Sequence, residues 1–328
     1  MYIEKEKFSL WCDFIERDFL SCGLNELIEK KIVNGATSNP SIFKNAFLNS
    51  PAYKKDIEAL KGKDAKEIYE ALAIKDIQIS ADILKDLYKN GDDGFISIEV
   101  DPTLCDDFEA TIKEARRLFK SINRENVMIK IPATDAGFVA MEQLISEGIH
   151  INATLIFSPL QAKGCLDAFE KGSKLVSGVL PKAVISVFVS RFDRKVDAKF
   201  CDKDIKSGLL GIFNATKIYR DIEKRGLPNV RTLFASTGVK GEEFVKDYYI
   251  TNLLFANSVN TAPIETIDAF VKTGIKEIKE PASPKQIEEF FEAVKNKEFD
   301  IDKIYKELMD EGLEAFKDAF ADILKELS

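Results

Sequence analysis

Val127-Met128-Ile129-Lys130-Ile131-Pro132 reads as a short strand with a lysine set inside it. Alternation along a strand puts Met128 and Lys130 on one face and Ile129 and Ile131 on the other. If the isoleucine face meets packed helices, Lys130 points into whatever the strand encloses. An ammonium there is costly unless it is paired or gives up its proton. Such a lysine either completes a structural ion pair with a buried carboxylate or serves as an amine nucleophile toward carbonyl substrates.

Outward from this run, seven more strand-like stretches recur, so that the full set covers 9–13, 34–39, 95–100, 127–132, 150–157, 183–189, 230–236 and 258–263. Segments with helical spacing separate most of them, among them 107–120, 137–147, 159–171, 206–225 and 241–254. Strand-then-helix repetition implies parallel strands with right-handed crossovers, and eight such units close into a (β/α)8 TIM barrel. An open doubly wound sheet is the alternative, but its glycine-rich first turn is missing. Two regions exceed the minimal repeat: a helical insertion at about 40–90, and a C-terminal helical extension at about 285–328 that follows Pro281 and Pro284. The expected organisation is one α/β domain over 1–328, a barrel with additional helices.

The 328 residues are 45% hydrophobic and 31% charged, an ordinary globular profile. A formal net charge of −8 argues against a nucleic-acid surface, yet leaves room for a small anionic substrate at a local cationic cluster. No stretch approaches a membrane span, and Met1–Lys7 lacks the apolar core of a signal peptide, so the chain reads as cytoplasmic. The five cysteines are odd in number and contain no C-x-x-C pair, which speaks against a disulfide framework or a zinc site. His150 is the sole histidine and is expected to pack or cap rather than catalyse. Nucleotide-binding glycine motifs are absent. The sequence leaves the oligomeric state unfixed, with a homodimer open.

In a barrel, inward positions near the strands' C-terminal ends build the active site. In 95–100 and just beyond, Ile96, Ile98 and Val100 oppose Ser97, Glu99 and Asp101; in 150–157, Asn152 and Thr154 oppose Ile151, Ala153 and Leu155. In 183–189, Ser186 and Phe188 oppose Ile185, Val187 and Val189. The first run ends at Asp13, the second at Thr37 and Asn39. Carboxylates, amides and hydroxyls thus converge around one lysine, as in a catalytic pocket. Plainer roles compete: Asn39 before Pro40 suits a helix N-cap, Glu99 or Asp13 could be a structural partner of Lys130, and Asp101 before Pro102 suits a turn. Arg191, after an apolar strand, and the Ser236-Thr237-Gly238-Val239-Lys240 segment are placed to bind an anion.

Gly35-Ala36-Thr37-Ser38-Asn39-Pro40-Ser41-Ile42-Phe43 and the run from Met128 to Gly137 resemble the two signatures of the transaldolase family. Glu99-Val100-Asp101-Pro102, Asn152-Ala153-Thr154, Ser186 through Arg191 and Asn260-Thr261-Ala262-Pro263 follow in family order, so the resemblance spans nearly the whole chain. It implies transfer of a dihydroxyacetone unit between sugar phosphates, without cofactor or metal, through a Schiff base on Lys130. By the same resemblance, Glu99 acts through a water held by Thr154, and Asp13 takes the C4 hydroxyl proton. Asn39, Asn152, Thr37 and Ser186 hold substrate hydroxyls, Phe188 forms an apolar wall, and Arg191 and Ser236 bind the phosphate. Many relatives carry an arginine shortly after that serine; here Lys240 is the candidate, a point charge without the arginine fork.

An amine must lose its proton to attack a carbonyl, so Asp13 and Glu99 are expected to stand off from Lys130 rather than bond it directly. A fructose 6-phosphate aldolase is the nearest rival, disfavoured by Glu99 and the long 40–90 segment. A pyridoxal phosphate enzyme lacks its phosphate cup here. A non-catalytic scaffold barrel would have no need to keep Lys130, Asp13 and Glu99 together.

Overall fold

The computed structural model describes residues 2–201, 205–275 and 277–328. Eight parallel strands close on themselves in sequence order: β1 (Ser9–Cys12), β2 (Gly35–Thr37), β3 (Ile96–Glu99), β4 (Val127–Pro132), β5 (His150–Ile156), β6 (Ala183–Phe188), β7 (Val230–Ala235) and β8 (Ser258–Ala262). Closure is made by β1 on β8, where Ser9 faces Val259 and Cys12 faces Ala262. The architecture is the (β/α)8 TIM barrel that the repetition predicts.

The strands are buried on both faces, as a helix-jacketed sheet requires. Their outward residues, including Ile96, Ile98, Ile129, Ile131, Ile151, Ile185 and Val187, pack with the surrounding helices into one large apolar cluster. Inside, Trp11, Met128, Val184, Leu233 and Val259 belong to a second cluster that fills the floor of the barrel. Gly35 is needed here, because a Cβ on it would lie 2.5 Å from the Trp11 indole nitrogen.

The N-terminal end is sealed by polar pairing. Arg231 Nη1 donates to both Asp93 oxygens at 2.8 and 3.0 Å, and its Nη2 to Ser9 Oγ and to the carbonyls of Lys7 and Ser258. Trp11 Nε1 donates to Asp93 Oδ2 at 3.0 Å. His150 sits at this same end. Its Nδ1 accepts from Lys182 N at 2.7 Å, its ring meets Phe95 edge-on, and burial holds its pKa down at about 4. It is a packing residue, remote from Lys130.

One expectation about facing fails. Alternation in β5 assigns Leu155 outward, but the strand bulges between Ala153 and Ile156, and Leu155 takes φ +59°. The extra backbone turn swings Leu155 into the inner cluster beside Phe157.

The 40–90 segment forms helices Pro40–Asn49, Lys54–Ala59 and Ala65–Lys89. The tail forms Pro284–Asn296 and Ile301–Glu326. Asp300 caps the last helix by accepting from Lys303 N, and Ile304, Leu308, Gly312, Phe316 and Phe320 make its buried stripe. Phe320 packs edge-on against Tyr69, and Lys44 pairs with Asp322, so this helix lies across the C-terminal end of the barrel. Cys12, Cys22, Cys105 and Cys165 are free thiols, and the Cys201 side chain lies outside the described residues. Among the described residues no helix is long and apolar enough to cross a membrane.

Candidate active site

A cavity of about 170 Å³ opens at the strands' C-terminal ends, lined by Asp13, Thr37, Asn39, Lys130, Asn152, Thr154, Ser186, Phe188, Arg191 and Ser236. Ten of the twelve residues picked out by sequence thus share one space. Glu99 lies just behind it, and Lys240 is exposed and outside the lining.

Lys130 projects inward from β4 and is almost fully buried. Its Nζ donates to the carbonyl of Ser38 at 2.9 Å, while the nearest Glu99 oxygen stands 3.8 Å away, beyond hydrogen-bond reach. Ser38 is itself fixed, its hydroxyl donating to the Ser97 carbonyl at 2.7 Å. The lysine is therefore anchored by a neutral group and left without a tight carboxylate contact. At 3.8 Å the buried Lys130–Glu99 pair is still a long ion pair, closer than the water-separated arrangement expected from the sequence.

Glu99, on β3 next to Lys130, is 5% exposed, and neither carboxylate oxygen finds a hydrogen-bond donor among the described residues. Burial raises its pKa to about 7, with the charge of Asp13 adding to the rise and Lys130 opposing it. It can therefore both hold and release a proton near neutrality. The Thr154 hydroxyl is likewise buried without a partner, so two oxygen groups remain available to a bound water or substrate.

Asp13 follows β1 and accepts from Thr37 Oγ1 at 2.6 Å, and Thr37 is 2.6 Å from Thr261 Oγ1 on β8. Burial raises its pKa, against the pull of Lys130 and of the threonine. Deeper in, Ser186 donates to Asn152 Oδ1 at 2.6 Å and Asn152 Nδ2 donates to Ser97 Oγ at 3.0 Å. This chain from β6 through β5 to β3 fixes the orientation of the Asn152 amide. Asn39 has both roles weighed for it: its Oδ1 accepts from Ile42 N as the N-cap of Pro40–Asn49, and its side chain also borders the cavity. Asp101 is the turn residue expected, accepting from Thr103 N and pairing with Lys66.

Toward the rim, the Arg191 guanidinium lies 5.0 Å from the centre of the Phe188 ring. Burial, with repulsion from Arg194, lowers its pKa to about 10. No carboxylate among the described residues lies within ion-pair distance of it, so it is a cation poised for an external anion. Ser236 has φ +54° at the end of β7 and sits 3.1 Å from Ser190 Oγ. Lys240 lies four residues further along the same loop, facing solvent.

The sequence reading missed four lining residues, Ser41, Ala235, Thr261 and Phe316. Thr261 lies in a quoted motif and on an inward position, a signal that was available. Phe316 reaches the cavity only because the last helix crosses the mouth, which its amphipathic spacing does not reveal.

The family profile described as Transaldolase/Fructose-6-phosphate aldolase matches residues 10–327. A Campylobacter jejuni subsp. jejuni protein named Transaldolase is 48% identical, with 98% of this chain and 100% of that protein aligned. A Helicobacter pylori protein of the same name is 46% identical, over 98% of this chain and 99% of that one.

Proposed function

The chain belongs to the transaldolase/fructose-6-phosphate aldolase family and is an enzyme of the transaldolase kind, and from that premise we propose that it transfers a dihydroxyacetone unit through a Schiff base on Lys130. The donor is a ketose phosphate, sedoheptulose 7-phosphate or fructose 6-phosphate, and the acceptor an aldose phosphate, as in the non-oxidative pentose phosphate pathway. The observation that carries this reading is Lys130 itself: a buried amine, held by one carbonyl, with Glu99 at 3.8 Å.

In the first step Lys130 Nζ attacks the ketose C2 carbonyl. Glu99 supplies the proton with which the C2 oxygen leaves as water, and Thr154 holds the water through which that proton moves. The resulting iminium accepts the electron pair of the C3–C4 bond when Asp13 removes the C4 hydroxyl proton, so an aldose departs and an enamine stays on Lys130. Asn39 and Asn152 hold the hydroxyls of this three-carbon unit, with Thr37 and Ser186 fixing their partners. The enamine then adds to the acceptor aldehyde, which takes its proton back from Asp13, and hydrolysis frees Lys130. Phe188 walls the apolar edge, and Arg191 with Ser236 receives the phosphate; Lys240 could assist only by moving inward from its exposed position.

Residues 1–328 are proposed to work as one cytoplasmic domain, a view supported by the contacts of the last helix with Pro40–Asn49 and Ala65–Lys89. Borohydride reduction after incubation with fructose 6-phosphate tests the mechanism. A dihydroxyacetone-sized adduct should map to Lys130 and disappear when glyceraldehyde 3-phosphate is added. An adduct indifferent to acceptor would mark an aldolase, and no adduct on Lys130 would end the proposal.

A further inference from the structure

Gly312 stands in the middle of the 26-residue Ile301–Glu326 helix, where glycine is the poorest residue short of proline. A Cβ placed on it would lie 3.0 Å from Leu155 Cδ2, 3.2 Å from Arg191 Nη1 and 3.4 Å from Phe157 Cε2. The helix backbone therefore rests directly on Arg191, whose guanidinium faces the Phe188 ring at 5.0 Å. Leu155 is fully buried on a positive-φ backbone, and its Cδ2 would have to give by a few tenths of an ångström. Arg191 borders the cavity, so it is the neighbour that would move more. One turn further, Phe316 of the same helix lines that cavity.

We infer that Gly312 is a positioning residue for substrate binding: its missing side chain lets the last helix hold Arg191 in the orientation that receives the substrate phosphate. The inference rests on the proposal that Arg191 binds that phosphate. Any side chain at 312 pushes the guanidinium away from the helix and misaligns its donor fork, which must meet two phosphate oxygens together. The reacting carbonyl, further down at Lys130, is untouched. The loss therefore falls on binding common to ground state and transition state, raising KM without lowering kcat.

The test is steady-state kinetics on the full chain with fructose 6-phosphate as donor and inorganic phosphate as competitive inhibitor. Gly312→Ala should raise both KM and the phosphate inhibition constant about tenfold, the loss of roughly one charge-assisted hydrogen bond. The kcat should hold within about twofold, and the thermal midpoint should hold or rise, because alanine favours the helix. In an Arg191→Ala background, Gly312→Ala should change neither constant further.

Wild-type constants in Gly312→Ala, beside raised ones in Arg191→Ala, would overturn the role of Gly312 alone. Unmoved constants in Arg191→Ala would overturn the phosphate assignment itself. An equal loss from Gly312→Ala in both backgrounds would show an effect that bypasses Arg191, and would also reject the inference. If Gly312→Ala does not fold, Leu155→Ala with and without it relieves the 3.0 Å contact, and the same tenfold comparison is read there.

Discussion

At the N-terminal end of the barrel, Arg231 reaches Asp93, Ser9 and two carbonyls, and Trp11 completes Asp93. At the C-terminal end, Glu99 and Thr154 keep buried oxygens without a donor among the described residues, Lys130 holds one carbonyl, and Arg191 has no carboxylate partner among those same residues. Both ends are built from polar side chains on the barrel strands or in the segments that join them. They differ in whether the charged groups are satisfied internally: Arg231 and Asp93 pair with each other, whereas the Glu99 carboxylate has no hydrogen-bond donor among the described residues. A buried polar atom left unpaired costs about 1–3 kcal/mol; the Glu99 carboxylate and the Thr154 hydroxyl carry that cost at the C-terminal end, and Asn34 Oδ1 carries it near the N-terminal end. The pairing at one end secures the barrel, and the open valences at the other are what a substrate can complete.

The contrast can be broken most severely at Lys130. Lys130→Met keeps the apolar stem and removes the amine; turnover should fall on the order of 10⁴-fold or more while the thermal midpoint holds or rises. A variant that stays active would put the nucleophile elsewhere. Asp13→Asn should lower kcat by roughly 10²–10³-fold, with a borohydride adduct on Lys130 still forming but now carrying the whole ketose phosphate, since the lost C3–C4 cleavage follows iminium formation. Loss of the adduct together with turnover would assign Asp13 to the earlier step.

At the opposite end the effect should move from rate to stability. Arg231→Ala strands Asp93 and should cost roughly 2–3 kcal/mol in denaturant unfolding, while kcat of the folded enzyme stays near wild type. A large fall in kcat would show that the two ends are not independent.

A further effect, seen only as a change in slope with pH, separates Glu99 from other acids. Its pKa is about 7 when folded and near 4.5 when unfolded, so the folded state holds the proton longer. The associated stability is fully present below pH 4.5 and is lost as pH rises toward 7, to an extent of at most roughly 3 kcal/mol. Glu99→Gln should flatten that part of the stability–pH curve. An unchanged slope would mean that the carboxylate is ionised at neutral pH in the folded protein.

The strands and the inward polar set were legible because alternation is a local property: Ser97, Asn152, Ser186 and Phe188 could be oriented from their neighbours alone. Leu155 was not, because a bulge at a non-glycine residue leaves no trace in side-chain pattern. The partner of Lys130 was hidden for a different reason, since the Ser38 carbonyl belongs to the backbone and any residue would supply it. Arg231 and Asp93 stand in separate strand-proximal segments, and only the barrel's circular closure brings them together. Phe316 illustrates the same limit, because amphipathic spacing tells which face of a helix is buried and not what lies beneath it.

Closure of β1 against β8 also sets a timetable for synthesis. Ser9 emerges from the ribosome early, but its partner Val259 follows only after most of the chain has been made. At roughly 5–20 residues per second, the first strand waits on the order of tens of seconds with one edge open. The helix bearing Gly312 and Phe316 comes later still. A nascent chain therefore holds Lys130 and its neighbours well before it has the roof over them, and the active site is finished only after the barrel strands have all been made.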